Sequence, residues 1–160
     1  MIKMNKEQQK ITSAEAMLSL GETLGKEFAQ SPTSVVVNLV GDLGVGKTTF
    51  ARGVAKALGI SEAVTSPSFT LEKVYQGKQK NLHHFDFYRL EDPGIMQESL
   101  LEAMHAPENV VLIEWGESVK AILPAKSWQI EIRYQDEKTR SVTITPPKQS
   151  GKKVRLKKGQ

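Results

Sequence analysis

The chain contains no cysteine among its 160 residues. That excludes a disulfide framework and thiolate metal sites. No apolar run approaches the roughly 18 residues of a membrane span. The first residues, Met1-Ile2-Lys3-Met4-Asn5-Lys6, lack the apolar stretch and cleavage site of a secretory signal. A cytoplasmic protein with no membrane partner is therefore expected. There is no internal repeat. What remains is an ordinary globular composition, 39% hydrophobic and 25% charged, at the length of one domain.

The formal net charge of +4 hides an asymmetry. Lys148, Lys152, Lys153, Arg155, Lys157 and Lys158 lie in the last thirteen residues, which hold no acid. Positions 1–147 then carry 16 basic and 18 acidic residues, a body near −2. Residues 1–147 read as the domain and 148–160 as a disordered basic tail. Such a tail can dock on RNA or another acidic surface. The alternative is a solvated tail that aids solubility.

The spacing predicts a helix from near Thr12, with Thr12 and Glu15 at capping-box separation. Met17, Leu20, Leu24 and Phe28 give it one apolar face, and Ser31-Pro32-Thr33 breaks it. Ser34 to Val40 reads as a strand buried on both faces. A helix follows from Lys47 to Leu58 and stops at Gly59. Phe69–Tyr75 and Leu82–Tyr88 alternate around Gly77, as in an antiparallel hairpin. Asp92-Pro93 has the pattern of a helix start, the helix running toward Met104. Val110–Ile113 is a second continuous apolar strand, delivering Glu114 and Trp115 at its end. A short helical piece spans Val119–Leu123, and two alternating strands, Ser127–Tyr134 and Arg140–Thr145, close the pattern. The expected fold is α/β, a single domain with a mixed parallel/antiparallel sheet flanked by helices.

Gly41-Asp42-Leu43-Gly44-Val45-Gly46-Lys47-Thr48 completes the pattern G-x-x-x-x-G-K-[ST] between a predicted strand and a predicted helix. Glycines allow backbone conformations that a Cβ forbids. Successive amides then converge on phosphate, and the helix N-terminus adds about half a positive charge. In this reading Asp42, Gly44, Val45, Gly46, Lys47, Thr48 and Thr49 bind ATP. Lys47 bridges the outer phosphates, the Thr48 hydroxyl ligates Mg²⁺, and Thr49 donates to the α-phosphate. The alternative, a glycine-rich turn with a chance lysine, conflicts with the agreement of strand, loop and helix.

A P-loop also needs a carboxylate to hold the metal shell or orient water. Glu114 follows four apolar residues at a strand end and is the better candidate for Mg²⁺. Asp86, in His84-Phe85-Asp86-Phe87-Tyr88-Arg89, could position water; alternatively it caps the hairpin or pairs with Arg89. Lys47, Asp86 and Glu114 are the candidate catalytic residues. Arg89 could stabilise charge, or form only a surface ion pair. Thr65-Ser66-Pro67-Ser68-Phe69-Thr70 is a hydroxyl-rich loop at the chain position of a GTPase switch, or an ordinary proline turn. His83, His84 and His105 lack metal-ligand spacing. Trp115 could stack on a base or a partner, or be a core residue.

Four motifs in order carry a resemblance: Gly41–Thr49, Ser66-Pro67-Ser68-Phe69-Thr70-Leu71, His84–Leu90 and Leu112-Ile113-Glu114-Trp115. Over about positions 12–134 they resemble TsaE (YjeE), the bacterial ATPase family of tRNA threonylcarbamoyladenosine biosynthesis. Ser68 and Phe87 stand where that family usually has Thr and Leu. The basic tail lies outside its pattern. The resemblance implies a P-loop NTPase fold that binds ATP and Mg²⁺. It implies work with a TsaD-type transferase and its TsaB-type paralogue, which place threonylcarbamoyl on the adenosine beside the anticodon of tRNAs reading ANN codons. Hydrolysis then depends on those partners and resets the complex, and tRNA is met through the complex. It implies further that Asp86 is a functional acid, that Thr70, Tyr88 and Trp115 lie close to nucleotide or partner, and that Thr12, Ser13 and Ala14 lie near adenine.

Other classes fit less well. A small-molecule or nucleoside kinase shares the P-loop and the size, but no arginine-bearing lid follows Ser61–Ser66. A GTPase lacks its N-K-x-D here. A purely ATP-binding adaptor retains an intact site without fast turnover.

Overall fold

The computed structural model describes residues 6–67, 71–88, 92 and 94–148. In chain order these form β1 (Glu7–Ile11), α1 (Ala14–Ala29), β2 (Val35–Val40), α2 (Lys47–Ala57), β3 (Glu72–Tyr75), β4 (Asn81–Asp86), α3 (Ile95–His105), β5 (Asn109–Glu114), a 3₁₀ segment (Gly116–Ile122), β6 (Ser127–Tyr134) and β7 (Arg140–Thr145). One sheet takes the order β1-β7-β6-β2-β5-β4-β3. Its centre, β6-β2-β5-β4, is parallel, and both margins are antiparallel. The continuous apolar runs are therefore central because both their faces are covered.

Alternation along the strands makes two cores. Val37, Leu39, Leu112 and Ile130 pack with Phe50 and Val54 of α2 and Leu24 and Phe28 of α1. Phe28 meets Trp128 edge-on at 5.2 Å. On the opposite face, Leu100, Ala103 and Met104 of α3 cover Phe85, Phe87, Val111 and Ile113. Helices α1 and α2 touch backbone to backbone through glycine. A Cβ on Gly21 would fall well under 3.0 Å from the Phe50 carbonyl oxygen, and one on Gly53 equally close to that of Leu18. This contact ties the middle of α1 to α2, the helix that the phosphate loop opens.

Several boundaries differ from the sequence expectation, each for a physical reason. Glu7–Ile11, not anticipated as a strand, pairs antiparallel with β7 at the sheet margin. Only Ile11 in it is buried, so no apolar pattern marks it. Helix α1 is capped by Ser13, whose Oγ accepts from the Ala16 amide at 3.0 Å. The N-cap is thus Ser13 and not Thr12, and with Ala16 at the third helical position the expected capping box of Thr12 and Glu15 does not form. Helix α3 starts at Ile95 after Gly94 at φ +49°, and not at Asp92-Pro93. Asp92 instead accepts from the Gly94 amide at 3.0 Å, forming a turn. The hairpin of β3 and β4 is antiparallel as expected, but β4 ends at Asp86. There the Phe87 amide turns to the Glu114 carbonyl. The piece expected at Val119–Leu123 is the 3₁₀ segment. Of the basic tail, only Lys148 falls within the described residues. Among the described residues no helix is long and apolar enough to cross a membrane.

Candidate nucleotide site

Strand β2 ends at Val40 and the chain turns through Gly41–Gly46 into α2. Gly44 at φ +76° and Gly46 at φ +123° hold conformations that side-chain-bearing residues rarely adopt. A Cβ on Gly41 would lie 2.7 Å from Val45 Cγ1 and 2.8 Å from the Ile132 carbonyl oxygen. Val45 itself is buried in the core and anchors the loop.

Two residues outside the motifs brace the loop. Tyr134 Oη donates to the Leu43 carbonyl at 3.1 Å, and Arg140 Nε donates to the Val45 carbonyl at 3.1 Å. The Arg140 guanidinium also stacks 4.4 Å over the Tyr134 ring. In a trans peptide C=O and N–H point oppositely. Holding those two carbonyls therefore turns the Gly44 and Gly46 amides away from the β6–β7 hairpin. No local sequence signal marks Tyr134 or Arg140, because their partners are 91 and 95 residues away.

Lys47 opens α2 and is only 6% exposed. Its Nζ donates to the Gly41 carbonyl and, at 3.3 Å, to that of Asp42. It stands 3.9 Å from Glu114 Oε1 and 4.6 Å from the Trp115 ring centroid. Burial lowers the Lys47 pKa, and the charges of Glu114, Asp86 and Asp42 oppose that shift. Thr48 and Thr49 follow, half-buried in the first turn of α2.

The carboxylates arrive from neighbouring parallel strands. Asp86 and Glu114 are register partners at the ends of β4 and β5, 5% and 4% exposed. Asp86 Oδ1 accepts from the Tyr88 amide at 2.9 Å. Burial raises the Asp86 pKa; the Tyr88 amide works against that shift, and the Glu114 charge adds to it. Glu114 Oε2 lies 2.6 Å from His84 Nε2. Trp115 takes a left-handed backbone, φ +55°, and its ring meets that of Tyr88 at 4.8 Å. Non-glycine residues in this region concentrate at functional sites.

Lys47, Asp86, Glu114, Tyr88 and Trp115 are thus brought to one place. Ser13, Thr12 and Ala14 are exposed at the start of α1. They sit one turn from Met17, whose methyl would lie 3.2 Å from a Cβ on Gly46. Thr65 Oγ1 accepts from Lys73 Nζ at 2.9 Å. Thr70 and Arg89 lie outside the described residues. His83 faces Glu72 and His105 faces a helix carbonyl. Among the described residues no three His, Asp or Glu side chains cluster as a metal site. A groove of about 820 Å³ opens on the other sheet face, between β6 and the 3₁₀ segment. It borders Gly41, Asp42 and Trp115, but Lys47, Asp86 and Glu114 do not line it.

Glycines that exclude a Cβ, a desolvated lysine and paired strand-end carboxylates suit a nucleoside triphosphate and its divalent cation. Fold and site together define a P-loop nucleotide-binding protein of the ATPase type. The family model described as Threonylcarbamoyl adenosine biosynthesis protein TsaE matches residues 11–142. Two relatives carry the name tRNA threonylcarbamoyladenosine biosynthesis protein TsaE. That of Haemophilus influenzae is 34% identical over 81% of this chain and 85% of its own length. That of Bacillus subtilis is 39% identical over 69% and 68%. The crystal structure of Bacillus subtilis YdiB superposes with a TM-score of 0.74 at 28% identity, covering 92% of this chain and 90% of that one. The chain belongs to the TsaE family.

Proposed function

We propose that this chain hydrolyses ATP as a subunit of the bacterial assembly that adds threonylcarbamoyl to the adenosine beside the anticodon of tRNAs reading ANN codons. The observation that carries this reading is the convergence of Lys47 and Glu114, 3.9 Å apart beneath a glycine loop, in a chain of this family. Asp42, Gly44, Val45, Gly46 and Thr49 cradle the phosphates, and Lys47 meets the outer two. Thr48 and Glu114 would hold a magnesium ion, which would supply charge neutralisation at the phosphates. Asp86 orients the attacking water through a carboxylate whose burial favours accepting a proton. Ser13 lies against the adenine side. Thr70, Tyr88, Arg89 and Trp115 form the contact zone for nucleotide and partner.

The protein works in the cytoplasm with a TsaD-type transferase and its TsaB-type paralogue, and meets tRNA through them. The basic tail beyond residue 147 adds a contact to tRNA. Hydrolysis is slow in the isolated chain and resets the complex when partners complete the site. The test is phosphate release from Mg·ATP by the chain alone and with both partner proteins. Strong stimulation by the partners is the expected result. Equal rates would overturn the reading, and phosphate transfer to an added nucleoside would replace it with a kinase.

A further inference from the structure

His84 is fully buried, yet it is polar and lies two residues before Asp86 on β4. Strand alternation places it on the α2 side, since Leu82 packs with α2 while Phe85 and Phe87 pack with α3. Its Nε2 lies 2.6 Å from Glu114 Oε2, a short contact of the charge-assisted kind. Its Nδ1 is buried with no hydrogen-bond partner among the described residues.

These two facts constrain the tautomer. A neutral imidazole carries one N–H and one lone pair. With the proton on Nδ1, a buried N–H would be unpaired and a lone pair would face a carboxylate. With the proton on Nε2, the N–H donates to Glu114 and only a lone pair is left over. Orphaned buried N–H groups are the rarer case, so the second arrangement is favoured.

We infer that His84 is a positioning residue for Glu114: its Nε2–H holds one carboxylate oxygen and leaves the other facing Lys47. The restraint has a consequence for the lysine. Glu114 Oε1 stands 3.9 Å from Lys47 Nζ, beyond the ~2.7–2.9 Å of a direct charge-assisted hydrogen bond. A freely rotating carboxylate would close onto the ammonium, and each would spend its charge on the other. Anchored by a rigid buried ring, Glu114 keeps an oxygen available and does not claim the remaining N–H of Lys47, whose Nζ already donates to the Gly41 and Asp42 carbonyls. This inference rests on the reading of Glu114 as part of the phosphate chemistry.

The test uses the full chain and has two arms. Long-range ¹H–¹⁵N correlation spectra of the nucleotide-free protein should show His84 protonated on Nε2; protonation on Nδ1 alone overturns the inference. Kinetically, His84→Leu should lower kcat for partner-stimulated ATP hydrolysis about 10- to 100-fold, with ADP affinity within about threefold of the parent. His84→Gln, whose amide can still donate to Glu114, should recover most of that loss. Equal losses in both variants, or a matching loss of ADP affinity, would assign His84 to packing alone. Should His84→Leu fail to fold, the tautomer and the activity of His84→Gln decide. Glu114→Gln separates the two levels of the argument. If it hydrolyses ATP normally, the role of Glu114 fails and His84 falls with it. If it is inactive while His84→Leu is fully active, Glu114 stands and the His84 inference fails.

Discussion

Replacing Gly53 with alanine sets two effects of opposite sign against each other. In a helix interior the exchange gains about 1 kcal/mol of intrinsic propensity. In this fold the new Cβ would lie well under 3.0 Å from the Leu18 carbonyl oxygen and 2.8 Å from the Glu22 amide nitrogen. Both are backbone atoms of α1, so no side chain can rotate to relieve the clash. The helices must part by about 1 Å, and a gap of that size forfeits up to half of each facing dispersion contact. Leu24, Phe50 and Val54 lie in the buried cluster between the helices and the sheet. Overpacking costs about 1–3 kcal/mol, and the upper part of that range applies where backbone cannot yield. Set against propensity, the net loss is about 1–2 kcal/mol. At ~2–4 °C per kcal/mol for a chain of this size, Tm should fall by about 2–8 °C in a calorimetric scan. Gly25→Ala, whose Cβ would lie 2.8 Å from the Ala57 methyl and 3.0 Å from the Val54 Cα and carbonyl oxygen, meets longer contacts and should cost less. A Gly53→Ala protein as stable as the parent, or more so, would refute the backbone contact.

Two further predictions concern the site. Asp86→Asn should stabilise the free chain while lowering phosphate release, because it removes a buried carboxylate and its Oδ1 can still accept from the Tyr88 amide. Burial raises the folded pKa of Asp86 above 3.8, so its contribution to stability is present below that value and lost as pH rises through the folded one. The stability gap between Asn variant and parent should therefore widen with pH across that window in urea titrations; a constant gap would contradict the cause. Tyr134→Phe removes one hydrogen bond to the loop, about 0.5–1.5 kcal/mol, and should weaken ADP binding about 2- to 10-fold by calorimetric titration. Unchanged affinity would mean that the loop holds its shape without that brace.

Continuous apolar runs were legible in the sequence because burial on both faces leaves no alternative pattern. Val35–Val40 and Asn109–Glu114 are such strands, and Ser127–Tyr134 and Arg140–Thr145 match their alternation from end to end. The glycine loop was legible because its chemistry is local. Glu114 is legible because strand ends in a parallel sheet face one crevice, whereas Asp86, read on a hairpin strand with a capping alternative, joins it only because β4 also runs parallel to β5. What stayed hidden depends on distant partners or on polar edges. Glu7–Ile11 is recognisable only once β7 exists beside it. The start of α3 turns on one glycine at positive φ and not on the Asp-Pro pair. Tyr134, Arg140 and His84 acquire roles through contacts across 91, 95 and 30 residues, which no spacing rule reads.

The central claim is that Lys47 and Glu114 work on the same phosphates in different ways. It is tested most directly by measuring Mg·ATP affinity and partner-stimulated phosphate release in parallel for Lys47→Ala and Glu114→Ala. Lys47→Ala should lose both. Glu114→Ala should retain much of the binding and lose turnover by about 100-fold or more. Normal hydrolysis by Glu114→Ala with partners present would contradict the account.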